Sequence, residues 1–320
     1  MFNTRLILTL LSIKGIGRVT VNNLIKYKLP DDLDEISILN FLKESKYKVK
    51  RLPKVDIEDI IAAKNKCENI ILKCKEENIK IITILDKEFP LRLKIINQNP
   101  VLIYYKGHLS CLNKNKSIAL IGTRVPTSHG QKVSYKLGKI LSQKGFVVIS
   151  GLALGCDTFA HRGCLDAKGN TIAVMPCGLN IVYPYENKEL YKKIIDNGGC
   201  IISEYAPNQN VSKNQFVERD RLQSALSCGV IVVESTINSG TMHTANFAIN
   251  QNKIIGCYKP SEKYNKEKSV EGNLHLLKNK SIHPISNLEL LNKFILKLEE
   301  ELAYEDFMFI EESTQLKFII

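Results

Sequence analysis

Three short segments of the chain combine glycine with hydroxyl or charged side chains, the residue types that bind anions. They are Gly122-Thr123-Arg124, Ser150-Gly151 followed by Gly155 and Asp157, and Ser239-Gly240-Thr241. Glycine lets the backbone approach a ligand closely, and a hydroxyl donates hydrogen bonds to anion oxygens. Arg124 adds a forked donor that suits a phosphate or a base edge. Each segment predicts an anion-binding turn, and a helix-capping turn without a ligand is the alternative; Asp157 is predicted to be a helix N-cap.

A fourth segment places three cations around an aromatic ring. Lys213, Phe216, Arg219 and Arg221 lie within nine residues of one another. An aromatic ring can stack on a base while neighbouring cations hold the phosphate backbone, and proteins that bind single strands use this combination. We therefore predict that these four side chains contact nucleic acid.

Buried strands that alternate with helices must position these segments. Six apolar runs predict strands: Ile118–Ile121, Phe146–Ile149, Thr171–Met175, Cys200–Ile202, Val230–Val233 and Ile254–Cys257. Five helical patterns alternate with them: Gln131–Lys144, Thr158–Ala167, Lys188–Asp196, Glu218–Leu226 and Thr241–Gln251. Strands that are apolar throughout and separated by helices predict an α/β fold with a doubly wound, mostly parallel, Rossmann-like sheet. Ligands bind outside the carboxyl ends of such strands, where the four segments are expected to meet.

The residues before this sheet have the spacing of short helices and predict a small all-helical domain. Gly15 and Gly17 stand one residue apart, which permits the tight turn of a helix-hairpin-helix or SAM-like module. Such a turn can face a phosphate, and a helix pair that serves only packing is equally compatible with the pattern. The predicted domains are residues 1–85, a Rossmann-like domain at 86–285, and a short acidic segment at 286–320.

The charge distribution favours a polyanionic partner. The 320 residues include 45 Lys and Arg against 33 Asp and Glu, a formal net charge of +12. Residues 1–284 carry +17 and residues 285–320 carry −5. Counterion release favours binding for each phosphate that a basic surface neutralises. A general enrichment in lysine explains the same total without any ligand.

Other classes of protein are disfavoured by what the motifs lack. Neither a Walker A loop nor the G-x-G-x-x-G fingerprint occurs, so ATPases and dinucleotide-dependent enzymes lose their main support. The nine cysteines form no C-x-x-C pair, and neither a metal site nor a cofactor is predicted. No apolar run reaches the length of a membrane span and no cleavable leader is recognised, so we expect a cytoplasmic protein without membrane contact.

In this order, the motifs resemble those of the DprA/Smf family of DNA-processing proteins. The matching stretches are LIGTRVPTSHG, VISGLALGCDTFAHRGCL, TIAVMPCGLNIVYPYEN, IISEYAPNQ, FVERDRL and VVESTINSGTMHTANFAINQ. The resemblance implies a non-enzymatic homodimer that binds single-stranded DNA, protects incoming strands and loads a RecA-type recombinase during natural transformation. It also implies which residues contact DNA: Arg124, Lys213, Phe216, Arg219 and Arg221, assisted by Ser150, Gly151 and Ser239-Gly240-Thr241. Gly122, Thr123, Gly155 and Asp157 are expected to support the phosphate-binding loops.

The chain departs from the family pattern at two places. The family usually has Arg-Asn-Arg where this chain has Arg219-Asp220-Arg221, and an acidic side chain there repels phosphate if it faces the groove. Many members also end in a winged-helix domain, where this sequence has an acidic segment. Both departures are expected to affect DNA affinity and partner choice.

Two alternatives place another activity on the same fold. One is a nucleoside-monophosphate phosphoribohydrolase, whose family carries a P-G-G-x-G-T-x-x-E motif with a catalytic glutamate. This chain has Thr244 at the glutamate position, and Glu234 substitutes only if the fold brings it near. The other is a nucleotide sensor in which the pocket holds a small signalling ligand. A strand needs cations beyond the pocket, and the segment from Lys213 to Arg221 provides candidates.

Overall fold

A computed structural model of the chain describes the backbone of residues 1–317 and the side chains of residues 1–304. The chain divides into two compact units. The helical unit comprises Met1–Lys106, Pro176–Ile181 and Ile202–Asn210, and the sheet unit comprises Gly107–Met175, Val182–Ile201 and Val211–Ile320. The domain boundaries at residues 85 and 285 stay a prediction. No helix within the described residues is both long and apolar enough to cross a membrane.

The helical unit begins with four helices, followed by a short antiparallel strand pair. Its elements are α1 (Phe2–Ser12), α2 (Arg18–Leu24), α3 (Glu35–Ser45), α4 (Ile57–Glu76), β1 (Lys80–Thr83), α5 (Leu91–Lys94) and β2 (Leu102–Gly107). The turn between α1 and α2 contains Gly15 at φ +85°, a left-handed conformation that glycine adopts without strain. Asp34 caps α3, and Asp56 forms a capping box with Asp59 at the start of α4.

The sheet unit alternates strands and helices. Its elements are β3 (Ser117–Ile121), α6 (Ser128–Gln143), β4 (Val147–Ser150), α7 (Cys156–Asp166), β5 (Thr171–Val174), α8 (Lys188–Asp196), β6 (Cys200–Ser203), α9 (Lys213–Leu226), β7 (Gly229–Val232), α10 (Gly240–Asn250), β8 (Ile254–Tyr258), α11 (Glu271–Leu276), β9 (His283–Ile285) and α12 (Leu288–Lys317). The last two residues of β6, Ile202 and Ser203, belong to the helical unit. All six predicted strands are present, and the predicted α/β class is confirmed.

The order of the strands creates a switch point. Six strands lie in the order β5-β4-β3-β7-β8-β9, and each neighbouring pair among them is parallel. From β3 the chain proceeds outward through β4 and β5, whereas from β7 it proceeds in the opposite direction through β8 and β9. A crevice opens where such connections diverge, at the carboxyl ends of β3 and β7. The topology alone therefore locates a ligand site beside Ile121 and Val232.

The strands are buried because helices cover both faces of the sheet. Every residue of β3, β4, β5 and β7 is buried, as the apolar runs predict. The acidic C-terminal segment forms most of α12, whose Leu291, Phe294 and Leu298 join the core cluster that also contains Ile118. The end of the predicted segment, residues 318–320, lies outside the described residues.

Candidate nucleic-acid interface

A pocket of about 390 Å³ lies at the switch point of the sheet unit. Ile121, the last residue of β3, and residues 122–124 after it line one side, and Ser239 with the first two residues of α10 lines another. Side chains of α9 complete the wall. The volume lies within the usual range of ligand pockets in proteins, roughly 300–1,000 Å³.

One face of α9 is directed at this pocket. Phe216, Arg219, Asp220 and Gln223 all line it. The last three follow Phe216 by three, four and seven residues, and this spacing places all four side chains on one stripe of an α-helix. The helix begins at Lys213, five residues before the predicted start at Glu218, because the polar residues after the N-cap Ser212 give no apolar pattern.

A cation and an aromatic ring stand together at the mouth of the pocket. The Arg124 side chain is exposed, and its guanidinium carbon lies 4.9 Å from the centroid of the Phe216 ring. Tyr183 meets the same ring edge-on, with centroids 5.6 Å apart. A cation over an aromatic face stabilises the pair by about 0.5–1 kcal/mol at an exposed site. The loop after β3 and helix α9 thus present a positive charge and a ring side by side.

Three buried charged residues line the floor of the pocket: Asp157, Arg219 and Asp220. Arg219 is buried and donates from Nη1 to the carbonyl oxygen of Val174 at 2.8 Å, while its Nε lies 3.1 Å from Oδ1 of Asp220. Burial raises the pKa of Asp220 to about 6, although the Arg219 charge opposes the shift. Burial also raises the pKa of Asp157, again against Arg219. When both carboxyls are ionised, two negative charges face one buried guanidinium.

The loop between β4 and α7 is held by its own carboxylate. Asp157 Oδ2 accepts hydrogen bonds from the backbone N–H groups of Gly151 at 2.9 Å and Ala153 at 3.4 Å. The N-cap of α7 is Gly155, not Asp157 as predicted, because glycine alone fits the turn there. Its φ is +81°, and an added Cβ would overlap the carbonyl oxygens of Thr123 and Arg124. The Ser150 hydroxyl donates to the carbonyl oxygen of Leu120 at 2.7 Å.

The start of α10 supplies backbone donors. Ser239 is its N-cap and makes no capping bond with its side chain, whose hydroxyl instead donates to the carbonyl oxygen of Thr236 at 2.9 Å. The first turn of a helix leaves backbone N–H groups without intrahelical acceptors, and the helix dipole adds partial positive charge. Gly240 and Thr241 line the pocket at this point. An anion is therefore favoured at this side of the pocket.

The family model described as DNA recombination-mediator protein A matches residues 80–295. The chain belongs to this family. That finding confirms the resemblance read from the sequence motifs.

Several similar proteins are named DprA or Smf. The chain is 36% identical to DNA processing protein DprA of Bacillus subtilis over 190 residues, which is 59% of this chain and 64% of that protein. It is 38% identical to DNA processing protein DprA of Streptococcus pneumoniae over 54% of this chain and 60% of the relative. It is 33% identical to Protein Smf of Synechocystis over 62% of this chain and 51% of the relative. The matched region thus spans about half to two thirds of the length of these curated relatives.

Two solved structures share the fold. The X-ray structure of DNA processing protein A from Streptococcus pneumoniae superposes with a TM-score of 0.74 at 25% identity, covering 91% of this chain and 97% of that one. A structure of the Helicobacter pylori protein, which concerns its single-stranded DNA binding mode, has a TM-score of 0.61 at 29% identity. It covers 69% of this chain and 97% of the other.

Most of the predicted site residues line the pocket. Those that line it are Gly122, Thr123, Arg124, Asp157, Phe216, Arg219, Ser239, Gly240 and Thr241. Ser150, Gly151 and Gly155 shape the neighbouring loop without lining the pocket. Lys213 is exposed at the first residue of α9, one turn before Phe216. Arg221 is buried on another side of α9, with its Nε 3.4 Å from Oε2 of Glu218. The structure thus separates Arg221 from Arg219 although the sequence places them close together.

Three polar residues line the pocket without being among the predicted site residues: Asp220, Gln223 and Thr244. The sequence reasoning considered Asp220 only as a departure from the family pattern, and it overlooked Gln223 and Thr244 as lining residues. Helical spacing would have found both, because Gln223 follows Phe216 by seven positions and Thr244 follows Thr241 by three.

Proposed function

We propose that this chain binds single-stranded DNA along the carboxyl edge of its sheet, with the pocket at the centre of the site. The observation that carries the proposal is the pairing of Arg124 with Phe216 at the mouth. A guanidinium can bind a phosphate of the strand while the ring stacks on a base. The Helicobacter pylori structure concerns the binding of single-stranded DNA by a family member, which supports the same class of ligand here.

Charges around the pocket support a ligand longer than one nucleotide. The N-terminus of α10 favours an anion on one side, and the exposed Lys213 extends the positive surface beyond the pocket along α9. A small signalling nucleotide would need only the pocket itself. A DNA strand would bind more tightly with each further phosphate contact.

We infer that the site binds its ligand without a catalytic step. Thr244 lines the pocket at the position where the phosphoribohydrolase motif has its glutamate, and a threonine is no general base at neutral pH. Glu234 is buried, and its two oxygens accept hydrogen bonds from the backbone N–H and the hydroxyl of Thr127 at 2.8 and 2.6 Å. This arrangement favours a structural role for Glu234 in joining β7 to the start of α6.

The family description as recombination mediators supports a further step. We propose that the chain acts as a homodimer that protects incoming DNA and passes it to a RecA-type recombinase in natural transformation. Adding the chain should then raise strand-dependent ATP hydrolysis by such a recombinase on DNA coated with single-strand-binding protein. No increase would remove the recombinase part of the proposal and leave DNA binding to be judged separately.

Binding itself is tested with a fluorescent single-stranded oligonucleotide and its duplex, by anisotropy at rising salt. We expect tighter binding to the single strand and an affinity that falls as salt rises. Arg124→Ala should weaken binding by roughly 5-fold to 150-fold, the equivalent of about 1–3 kcal/mol.

The matched control is Arg162→Ala. Arg162 is exposed and also lies over a phenylalanine ring, 5.8 Å from the centroid of Phe159, but it does not line the pocket. The control should leave the affinity within about twofold. Equal loss in both variants, or no binding at low salt, would contradict the proposed site.

A further inference from the structure

The loop after α3 concentrates positive charge on the surface of the helical unit. Residues 46–51 contain four Lys and Arg side chains and no carboxylate, and all four cations are exposed. The loop is anchored by Val49, which is buried. The carbonyl oxygen of Ser45 accepts hydrogen bonds from the backbone N–H groups of Lys48 and Val49 at 2.9 and 2.8 Å. The cations therefore lie on an anchored turn.

Two other segments of the helical unit meet this loop. The Nζ atom of Lys48 lies 5.1 Å from the centroid of the Tyr27 ring, which follows α2. The turn between α1 and α2 contacts the loop at Pro53, since a Cβ on Gly15 would lie 3.4 Å from the Pro53 Cβ. Lys14, in that turn, is also exposed. The surface so formed, the basic patch, comprises Lys14, Lys46, Lys48, Lys50 and Arg51 with the rings of Tyr27 and Tyr47.

The protein does not neutralise the charge of the basic patch. Among the residues whose side chains the structure describes, none of its five cations forms an ion pair with a carboxylate. Elsewhere in the same unit Lys64 is paired with Glu35. The carboxylates that follow the loop, Asp56 and Asp59, form the capping box of α4 instead. Like charges on one surface repel one another, and an anionic ligand relieves that repulsion.

The aromatic rings of the basic patch favour a single strand as this ligand. The Tyr47 side chain is 94% exposed, and Tyr27 is 37% exposed beneath Lys48. Cations that follow the phosphate backbone, together with rings that stack on bases, are the combination that single-strand binders use. A duplex keeps the faces of its bases stacked on one another, whereas an unpaired strand leaves them free for a ring.

We propose that the basic patch is a second contact site for single-stranded DNA, in which its cations bind phosphates and Tyr47 stacks on a base. This inference rests on the proposed function and adds a second site to it, because the basic patch belongs to the helical unit and the pocket to the sheet unit. A strand that engages both sites binds more tightly than it binds either site alone.

The test measures how the affinity of the full chain for a fluorescent oligothymidylate depends on salt. The strand has about 45 nucleotides, roughly three times the upper site size of one single-strand-binding domain. Each phosphate contact contributes about 0.7 to the slope of log K against log salt concentration. Replacing four cations by alanine should make the slope shallower by about 1.4–2.8, the equivalent of two to four contacts. The cations replaced in this patch variant are Lys46, Lys48, Lys50 and Arg51.

A control variant removes the same charge from another surface. Four exposed lysines precede the parallel strands β3, β4, β5 and β9 and therefore lie at the amino edge of the sheet, opposite the pocket. Replacing all four by alanine should change the slope by less than about 0.7, the value of one contact. The lysines replaced are Lys114, Lys144, Lys168 and Lys280.

Tyr47→Ala tests the stacked base separately. The variant should bind the strand at least about fivefold more weakly, the lower end for a base stacked on one aromatic ring. Its slope against salt should stay unchanged, because stacking on an uncharged ring releases no counterion. The side chain is almost fully exposed, so the substitution leaves the packing of the helical unit intact.

The outcomes separate the basic patch from the pocket. An unchanged slope in the patch variant, or an equal change in the control variant, overturns the second site and leaves the proposed function standing. An unchanged affinity of Tyr47→Ala overturns the stacked base, and this measurement remains decisive even if the patch variant does not fold. An unchanged affinity of Arg124→Ala overturns the pocket instead, and failure of the intact chain to bind overturns both.

Discussion

The buried carboxyl group of Asp220 should lower the stability of the folded chain at neutral pH. Burial raises its pKa from 3.8 to about 6, and the charged groups that act on it are Arg219, Asp157 and His243. Because the folded-state pKa is raised, the folded chain binds more protons than the unfolded chain between about pH 4 and 6, and stability falls as pH rises through this window. Two pKa units correspond to about 3 kcal/mol.

Asp220→Asn removes this cost. Asparagine has nearly the same shape and is uncharged at every pH, so the variant should be more stable by up to about 3 kcal/mol above pH 7. The gain should shrink as pH falls through 6 and vanish near pH 4. Urea denaturation followed by far-ultraviolet circular dichroism measures it at each pH, since the chain contains no tryptophan for fluorescence.

Glu186→Gln is the control, because Glu186 is an exposed carboxyl group of the same unit outside the pocket lining. Its effect should stay within about 0.5 kcal/mol at all pH values. All other groups titrate in both the intact chain and the Asp220→Asn variant, so the pH dependence of their difference isolates Asp220. A difference that is independent of pH, or a variant less stable than the intact chain at pH 8, would refute the reasoning.

Two further predictions concern the loop before α7 and the absence of a catalytic step. Gly155→Ala should destabilise the chain in urea by at least about 2 kcal/mol more than Gly145→Ala, since both glycines have positive φ but only Gly155 has no room for a Cβ. Equal losses would contradict the steric argument. Incubation of the purified chain with adenosine monophosphate should release no free adenine above a blank, and release at an enzymatic rate would refute the non-catalytic proposal.

The central part of the fold could be predicted from the sequence. Strands buried on both faces must be apolar along their whole length, and that pattern identified all six predicted strands. The strands β1, β2 and β9 were not predicted. β1 (KIIT) is interrupted by Lys80 and Thr83, and β9 (HPI) has only three residues, so neither forms an apolar run of four residues. β2 contains such a run, Leu102–Tyr105, which the same criterion would have found.

The candidate site was harder to predict because it depends on helix rotation. Arg219 and Arg221 are separated by two positions, or about 200° around an α-helix, so only one of them can face the pocket. The predicted start of α9 at Glu218 excluded Phe216 from the helix and thereby concealed the stripe that ends at Gln223. The site residues in the loops were easier to predict, because glycine and hydroxyl side chains directly after a β-strand mark the carboxyl edge of the sheet.

The Asp157 carboxylate limits where the phosphates of a DNA strand can bind in the proposed complex. In many nucleotide-binding folds the backbone N–H groups of such a loop receive a ligand phosphate. Here a resident carboxylate already occupies the N–H groups of Gly151 and Ala153. The loop is therefore ordered before any ligand arrives, and binding costs no conformational entropy there. In the proposed complex, the phosphates of the DNA strand therefore contact Arg124 and the N-terminus of α10 rather than this loop.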